Sequence, residues 1–398
     1  MKYERKKVPI SSLCVGIYDG PHATPPKSDS GAVFLGISNF SNGRLDLSNI
    51  RYISEDDLPQ WTKRVTPKAH DIVFSYEATL NLYAIIPDGF YGCLGRRMAL
   101  MRPDERKVDY RFLYYYMFSA EWREEIERYK VNGSTVDRIP LVSFPSFTVN
   151  LPDMATQRYI AGILSELDDK IEINNKINDN LEQQAQALFQ ELFIENADPE
   201  WREGTISDLG TVVGGSTPSK SKPEYYTEHG IAWITPKDLS VNKSKFITHG
   251  ENDITELGLK NSSASIMPEG TVLFSSRAPI GYIAIAAGEV TTNQGFKSVI
   301  PRPAIGTPFV YYFLKNALPT IEGMASGSTF KEVSGSTMKI VPAFIPDDET
   351  LARFTEFCSP IFEQQQMLER QNQSLATLRD SLLPKLMSGE IDVSDVSI

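Results

Sequence analysis

The sequence predicts an α+β fold: two α/β domains separated by two long helices that form an antiparallel coiled coil, with a pseudo-two-fold internal repeat. Two observations predict this architecture. Acidic charge is concentrated in two short segments, and short motifs recur in the same order at offsets of 193 to 200 residues. A chain of 398 residues is long enough for two or three domains, each with its own core.

The net charge of −11 is distributed unevenly. Residues 151–200 carry a net −8 and residues 347–398 a net −6, whereas residues 1–150 carry +2 and residues 201–346 carry +1. Phosphate groups are bound by cations, so the acidity of the whole chain at first argues against a nucleic-acid partner. Because the excess acid lies in the two short segments, the two long, slightly basic segments stay compatible with such a partner.

The first acidic segment predicts one long helix. Asp153 or Thr156 can cap it, and residues 156–193 contain no Pro and no Gly except Gly162. These 38 residues would form a rod of about 57 Å. Apolar residues follow the alternating spacing of four and three that is typical of a coiled coil. The predicted interface positions of this helix are Ile160, Leu164, Leu167, Ile171, Asn174, Leu181 and Leu188.

The second acidic segment repeats this pattern at an offset of 194 residues. Its predicted interface positions are Phe354, Ile361, Leu368, Asn372, Leu375 and Leu382. Pro360 should kink or begin the helix, because it removes one helical hydrogen bond, and Pro384 and Gly389 mark its end. A chain folded back on itself favours an antiparallel pair in which Asn174 lies on Asn372 and fixes the register. The alternative is two separate amphipathic helices, each packed on its own domain.

The two long segments match each other as well. The matched motifs are Ile10–Leu13 with Ile206–Leu209, Asp71–Ser75 with Thr271–Ser275, Phe112–Tyr115 with Phe309–Tyr312, and Gly133–Thr135 with Gly327–Thr329. Short β-branched and aromatic runs predict strands at Val33–Ile37, Asp71–Tyr76, Leu82–Ile86, Ile231–Thr235, Thr271–Ser275 and Tyr282–Ala286. Helices are predicted at Asp109–Tyr129 and Pro308–Leu318. Each long segment is therefore expected to be an α+β domain.

Known catalytic patterns are not found in this sequence. The four histidines are spread out, and the sequence has no HExxH, no paired cysteines, no GxSxG and no GxGxxG after a strand. The Gly214–Ser221 stretch superficially resembles a phosphate loop, but it lacks a Gly directly before Lys220, and Pro218 removes an amide donor. The sequence therefore favours a non-catalytic recognition or scaffold protein with no metal or cofactor of its own.

The three cysteines and the charged start of the chain predict a cytoplasmic protein. No apolar run of about 18 residues suggests a membrane segment.

Several cationic and amide side chains are suited to DNA, because such groups bond phosphates and base edges. The candidate DNA-binding residues are Asn39, Arg64, Lys68, Arg96, Arg97, Ser134, Thr135, Lys237, Arg277, Asn293, Gln294, Ser328, Thr329 and Lys331.

The repeat layout, the run Leu167–Glu172, the run Leu378–Ile391 and the late Gly-Ser-Thr motif of each half together resemble the specificity subunit of type I restriction-modification systems. The resemblance implies two target-recognition domains, each reading one half of a split double-stranded DNA target. It also implies that two methyltransferase subunits bind the helices and that restriction subunits join the complex. S-adenosylmethionine, ATP and Mg would then belong to those partners, and this chain would need no cofactor.

The predicted domains are a first target-recognition domain, a central conserved helix, a second target-recognition domain, a C-terminal conserved helix and a tail, at residues 1–152, 153–198, 199–346, 347–390 and 391–398. The helices would set an unread gap between the two half-targets. Two alternatives remain open at this point: a non-catalytic coiled-coil scaffold with two ligand-binding domains, and a DNA-modifying enzyme with unrecognised motifs.

Overall fold

The computed structural model describes residues 4–131, 136–327, 331–391 and 393. The chain forms two compact units. Unit 1 comprises Met1–Ile171 with Ser374–Ile398, and unit 2 comprises Glu172–Gln373. Each unit thus combines one α/β part with stretches of both long helices.

Unit 1 contains a four-stranded sheet, a three-stranded sheet and two strand pairs. Its strands are β1 Lys6–Pro9, β2 Cys14–Asp19, β3 Ala32–Leu35, β4 Phe40–Ser41, β5 Arg44–Leu45, β6 Arg51–Ile53, β7 Ile72–Ser75, β8 Tyr83–Ile85, β9 Gly92–Leu94, β10 Met98–Pro103 and β11 Thr148–Leu151. The sheet orders are β2-β10-β7-β8 and β6-β3-β9, and the pairs are β1-β11 and β4-β5. Every pairing in the four-stranded sheet is antiparallel.

The helices of this part of the chain are α1 Ile10–Leu13, α2 Leu58–Trp61, α3 Tyr110–Tyr116, α4 Ala120–Tyr129 and the long α5 Met154–Gln190. The sequence predicts one helix over Asp109–Tyr129, whereas the structure has two. The Ser119 side chain accepts a hydrogen bond from the Trp122 amide and so begins a new helix there. The apolar core of unit 1 includes Phe112, Tyr114, Tyr115 and Tyr116 of α3 and Trp122 of α4.

Unit 2 repeats this arrangement. Its strands are β12 Arg202–Thr205, β13 Gly210–Gly214, β14 Tyr226–Thr227, β15 Ile231–Ile234, β16 Phe246–Ile247, β17 Asn252–Ile254, β18 Val272–Ser276, β19 Ile280–Ala286, β20 Thr291–Thr292, β21 Lys297–Pro301 and β22 Pro342–Ile345. The helices that follow α5 are α6 Ile206–Leu209, α7 Pro236–Val241, α8 Glu256–Lys260, α9 Thr307–Asn316, α10 Leu318–Gly323, α11 Gly335–Lys339 and the long α12 Asp348–Ser388.

The sheet topology carries the internal repeat. The order β13-β21-β18-β19-β16 of unit 2 matches β2-β10-β7-β8 of unit 1, with β16 added in parallel at the edge, and the pair β12-β22 matches β1-β11. The other sheet of unit 2 has the order β14-β17-β15-β20. All six predicted strands overlap observed ones, because alternating or fully apolar runs between turn residues encode strands locally.

The long helices begin and end close to the predicted positions. The carboxylate of Asp153 accepts hydrogen bonds from the Ala155 and Thr156 amides, so Asp153 is the cap of α5. Helix α12 begins at Asp348 and continues past Pro360, so the expectation that Pro360 begins the helix is wrong. It also continues past Pro384, and it ends before Gly389, whose φ of 72° only glycine adopts readily.

The contacts between α5 and α12 show that these helices run antiparallel in each unit. In unit 1, Ile160 and Leu386 lie in one apolar cluster. In unit 2, the Phe189 and Phe354 ring centroids are 5.8 Å apart. Asp168 also bonds Arg379 in unit 1, and Asn174 bonds Asn372 in unit 2. Within each unit, residue numbers thus rise along one helix as they fall along the other. The side-chain interlocking of a coiled coil stays a prediction.

The predicted interface positions are all buried or half-buried. The buried ones are Ile160, Leu164, Asn174, Phe354, Ile361 and Leu368, and the half-buried ones are Leu167, Ile171, Leu181, Leu188, Asn372, Leu375 and Leu382. Two polar residues interrupt the apolar spacing of α12, and each bonds a residue of α5. Arg379 donates to Asp168 at 2.6 Å, and Gln365 donates to the carbonyl oxygen of Asn178 at 3.2 Å.

Candidate nucleic-acid interface

In unit 1, several loops meet at one end of the four-stranded sheet. The β7–β8 loop, residues 76–82, is joined to its neighbours through the backbone. The Tyr76 amide donates to the Arg97 carbonyl, and the Ala78 amide donates to the Asp137 carbonyl, both at 3.1 Å. The turn after β2 is packed equally closely, because a Cβ on Gly20 would lie 2.6 Å from the Gly95 oxygen. We call this assembly the unit 1 loop cluster.

Three arginine side chains of the unit 1 loop cluster, Arg64, Arg96 and Arg97, are partly or fully exposed. Arg97 lies 3.1 Å from the Glu77 carboxylate, and Arg64 lies 2.5 Å from Asp19. Arg96 is exposed. Guanidinium groups at an accessible loop end are suited to phosphate oxygens and to the acceptor edge of guanine.

Tyr76 and His22 add further hydrogen-bonding groups to the same cluster. The Tyr76 hydroxyl lies 3.3 Å from Nδ1 of His22, whose Nε2 is 3.0 Å from Asp19. Burial, followed by the nearby Glu77 and Asp19 carboxylates, raises the pKa of Tyr76 above its ordinary value. The phenol therefore remains protonated at neutral pH and can donate a hydrogen bond. Sequence reasoning did not single out Tyr76 or His22, because neither lies in a basic or amide-rich run.

Unit 2 has an equivalent assembly, the unit 2 loop cluster, at the corresponding end of its sheet. Arg277 and Lys297 lie 3.4 and 3.6 Å from the Glu332 carboxylate. Burial lowers the pKa of Lys297 below its ordinary value. The Lys297 ammonium also donates to the Gln294 carbonyl at 3.3 Å. Two cations share one carboxylate here, so the cluster retains positive character that an anionic ligand can use.

Amide side chains line the unit 2 loop cluster next to these charges. Asn293 holds its own turn by accepting from the Gly295 amide at 2.8 Å, whereas Gln294 is exposed and accepts from the Thr217 hydroxyl. A Cβ on Gly215 would lie 1.9 Å from the Asn293 oxygen, so this close backbone approach requires glycine. Lys331 is exposed beside Glu332.

Both hairpin loops contain left-handed backbone at matching places. Ala78 and Ala278 have φ values of 72° and 50°, and Asn81 has 62° where the matching residue is Gly281 at 94°. Arg97 also has a positive φ, 71°. Such conformations cost on the order of 1–3 kcal/mol each in residues other than glycine, and they concentrate at functional sites. Their repetition supports a functional role for this end of each sheet.

The structure brings together some of the candidate DNA-binding residues and separates others. Arg64, Arg96 and Arg97 lie in the unit 1 loop cluster. Arg277, Asn293, Gln294 and Lys331 lie in the unit 2 loop cluster. Ser134, Thr135, Ser328 and Thr329 lie outside the described residues.

Three candidates are placed differently. Asn39 is only 4% exposed, and its amide accepts from the Gly36 amide and donates to the Asp46 carbonyl. Its side chain is therefore committed to holding a loop, and its assignment as a DNA contact stays an untested prediction. Lys68 precedes β7 and so lies at the opposite end of that strand from Tyr76. The Lys237 ammonium is paired with Glu251 at 2.6 Å.

Within the described ranges, no group of three or more His, Cys, Asp or Glu side chains is arranged to hold a metal ion. No helix in this part of the chain is long and apolar enough to cross a membrane.

A duplicated α/β framework with a cationic, amide-bearing loop cluster in each half defines a two-site recognition protein. Comparison with known proteins gives the family. The sequence model described as "Type I restriction modification DNA specificity domain" matches residues 23–183 and 199–379. The chain belongs to this family of type I restriction-modification specificity subunits.

Curated relatives agree with this assignment, and a solved structure shares the fold. The chain is 39% identical over 189 residues to the type I restriction enzyme MjaIX specificity subunit of Methanocaldococcus jannaschii, covering 47% of this chain and 44% of the relative. It is 26% identical to the HindI specificity subunit of Haemophilus influenzae, covering 90% of this chain and 94% of the relative. The crystal structure of a type I S subunit from M. genitalium shares the fold, with a TM-score of 0.57, 17% identity and 96% coverage of each chain.

Proposed function

We propose that this chain is the DNA specificity subunit of a type I restriction-modification complex, in which each α/β part reads one half of a bipartite double-stranded target. The observation that carries the proposal is the repeated loop cluster. Each one combines arginine with other hydrogen-bonding side chains, namely Tyr76 and His22 in unit 1 and Asn293 and Gln294 in unit 2. Arginine can bond guanine edges, amides can bond adenine edges, and both can bond phosphates.

In this proposal the two long helices set the unread gap and bind two methyltransferase subunits, and restriction subunits join that complex. Family membership and the acidic charge of the helices support this division of roles. An acidic helix repels the DNA backbone, which suits a surface that faces protein. The chain itself would be non-catalytic, and S-adenosylmethionine, ATP and Mg would be bound by the partner subunits.

The experiment is a map of methylated bases in a host that carries this chain together with its methyltransferase partner. Residues 1–152, the proposed first target-recognition domain, are replaced by the corresponding domain of a relative with a different target. We expect one half of the methylated sequence to change and the other half to stay. A change in both halves, or in neither, would contradict the proposal. Deletion of the chain should abolish the bipartite methylation pattern.

A further inference from the structure

In each unit, an acidic residue on α5 is held by groups from the α/β part of that unit. In unit 1 this group is Asp168, which is 8% exposed. The Tyr115 hydroxyl donates to its Oδ2 at 2.6 Å, and Arg44 donates to its backbone oxygen at 2.8 Å. Arg379 on α12 donates to its Oδ1 at 2.6 Å. We call these four residues the Asp168 cluster.

In unit 2 the corresponding carboxylate is Glu182, also on α5. The Tyr312 hydroxyl and the Lys245 ammonium both donate to its Oε2 at 2.8 Å, and Lys315 donates to its Oε1 at 2.7 Å. We call these four residues the Glu182 cluster. Tyr115 and Tyr312 are matched residues of the internal repeat, so both halves use a tyrosine and a cation to hold a carboxylate of the same helix.

Lys245 extends the attachment to α12. Its side chain is almost completely buried, and the ammonium donates to Gln365 at 3.0 Å and lies 3.6 Å from the centre of the Phe362 ring. The backbone amides of Lys245 and Phe246 donate to the Glu369 carboxylate at 2.8 and 3.0 Å. The loop that precedes β16 is therefore bonded to both long helices.

Unit 1 attaches an equivalent loop by different residues. The tip of the β4–β5 hairpin accepts a hydrogen bond at the Gly43 carbonyl from the Tyr114 hydroxyl, at 2.6 Å, and Arg44 follows directly. Tyr114 matches Tyr311 of unit 2, whose ring lies 4.5 Å from the Lys245 ammonium. The repeat thus preserves the position of the attachment while the cation changes from arginine to lysine.

These contacts restrain the position of each α/β part along its own stretch of the helices. Apolar contacts tolerate small displacements, whereas short charged hydrogen bonds to a single acidic residue do not. A shift of one helical turn would move a domain by about 5.4 Å. The rise per base pair of DNA is about 3.4 Å, so such a shift would be large enough to change the reading position by more than one base pair.

We propose that Glu182 and Asp168 are positioning residues that fix each α/β part at one height on the helices and so limit the DNA target to one gap length. The inference rests on the proposed function, because it assigns to these residues the spacing of the two half-targets. Neither residue contacts DNA in this proposal. Each acts through the loop and the tyrosine that it holds.

The test is a methylation map of the full chain with Glu182→Gln, co-expressed with its methyltransferase partner. The neutral amide leaves Lys245 as a buried charge without its anion, which loosens the loop before β16. We expect the share of methylated sites whose gap is one base pair longer or shorter to rise roughly tenfold, with both half-sequences unchanged. Lys245→Met should give the same change, and the double variant should be no worse than either single variant.

Asp179→Asn, which removes an exposed charge from the same helix, is the matched control and should keep the single gap. A merely structural role would lower methylation uniformly at the original gap, and that result would overturn the proposal. If circular dichroism shows that Glu182→Gln does not fold, Lys315→Gln takes its place, because it removes only one partly exposed donor to Glu182. The methylation map of that variant should then show the same rise in sites with a changed gap. If wild-type chain gave no bipartite methylation, the proposed function itself would fail instead.

Discussion

Asn174 on α5 donates a hydrogen bond from its Nδ2 to Oδ1 of Asn372 on α12 at 2.8 Å. Asn174 is completely buried. The Asn372 amide in turn donates to Asn175 at 2.8 Å. A polar pair at this position of an apolar seam favours one register, because a shifted register would bury these amides without partners. This is the pairing that the antiparallel arrangement predicts from sequence.

Replacing both members of this pair should cost little stability, whereas replacing one should cost more. Asn174→Leu or Asn372→Leu alone leaves the other amide with one hydrogen-bond partner fewer. Each single change should therefore lower the free energy of unfolding by about 1–3 kcal/mol. The double variant should be more stable than either single variant, because no buried amide is left unpaired, and Asn175 and Gln371, which lose a donor, are exposed to water. Urea denaturation of all four chains, followed by circular dichroism, measures this cycle. A double variant that loses the sum of the two single losses would show that the residues do not interact.

Glu182 should make the unfolding free energy depend on pH. Burial alone would raise its pKa, but the charges and hydrogen bonds of Lys245 and Lys315 lower it from 4.5 to about 2. Burial lowers the pKa of Lys245 to about 8, so this lysine stays protonated throughout the acid range. A depressed carboxyl pKa contributes stability above pH 4.5, and this contribution is lost as the pH falls towards 2. The loss should reach about 3 kcal/mol.

Denaturation of wild type and of Glu182→Gln at pH 7, 4 and 3 checks this expectation. The variant should be less stable at pH 7 and should lose less stability on acidification. Equal acid sensitivity of the two chains would rule out Glu182 as a source of the effect. Asp179→Asn serves again as the control, and its acid sensitivity should follow the wild type.

Arg97 and Arg277 should each matter for one half of the DNA target. Arg97→Ala should weaken binding of the assembled complex by about 1–3 kcal/mol and relax the sequence requirement in a single half-site, and Arg277→Ala should do the same in the other. Fluorescence anisotropy with duplexes altered in one half at a time measures the effect. Lys68→Ala, at the opposite end of β7, is the control and should bind as wild type does. Equal relaxation of both halves by Arg97→Ala would argue against separate reading.

An insertion in a long helix should change the gap without changing the half-sequences. Four additional residues within α5, placed after Ile177, lengthen this helix by about 6 Å, which is more than the rise of one base pair. The methylation map should then show both original half-sequences with a new gap. An insertion of equal length after Gly89, in an exposed turn of unit 1, should leave the map unchanged. New half-sequences at the old gap would contradict the assignment of the helices as spacers.

Much of the architecture is encoded by local patterns. The four-and-three spacing from Ile160 to Leu188 requires a helix with one apolar face, and the cap at Asp153 fixes where it begins. Matched motifs such as Asp71–Ser75 and Thr271–Ser275 predict duplicated strands, because the residue types of each short run favour a strand locally. Arg97 and Gln294 could be chosen as candidate DNA contacts from residue type alone, since arginine and amide side chains commonly bond DNA.

Only the tertiary structure showed which polar side chains are accessible to a ligand and which are bonded within the protein. Asn39 has the same side-chain chemistry as the exposed Gln294, but Asn39 is buried and its amide holds a loop. Helix α12 tolerates Pro360, although local sequence favours a break there. The bonds of Lys245 to Glu182 and Gln365 join residues 63 and 120 positions apart. Sequence periodicity determines elements because their geometry is local, whereas burial and ion pairing depend on partners that only folding brings together.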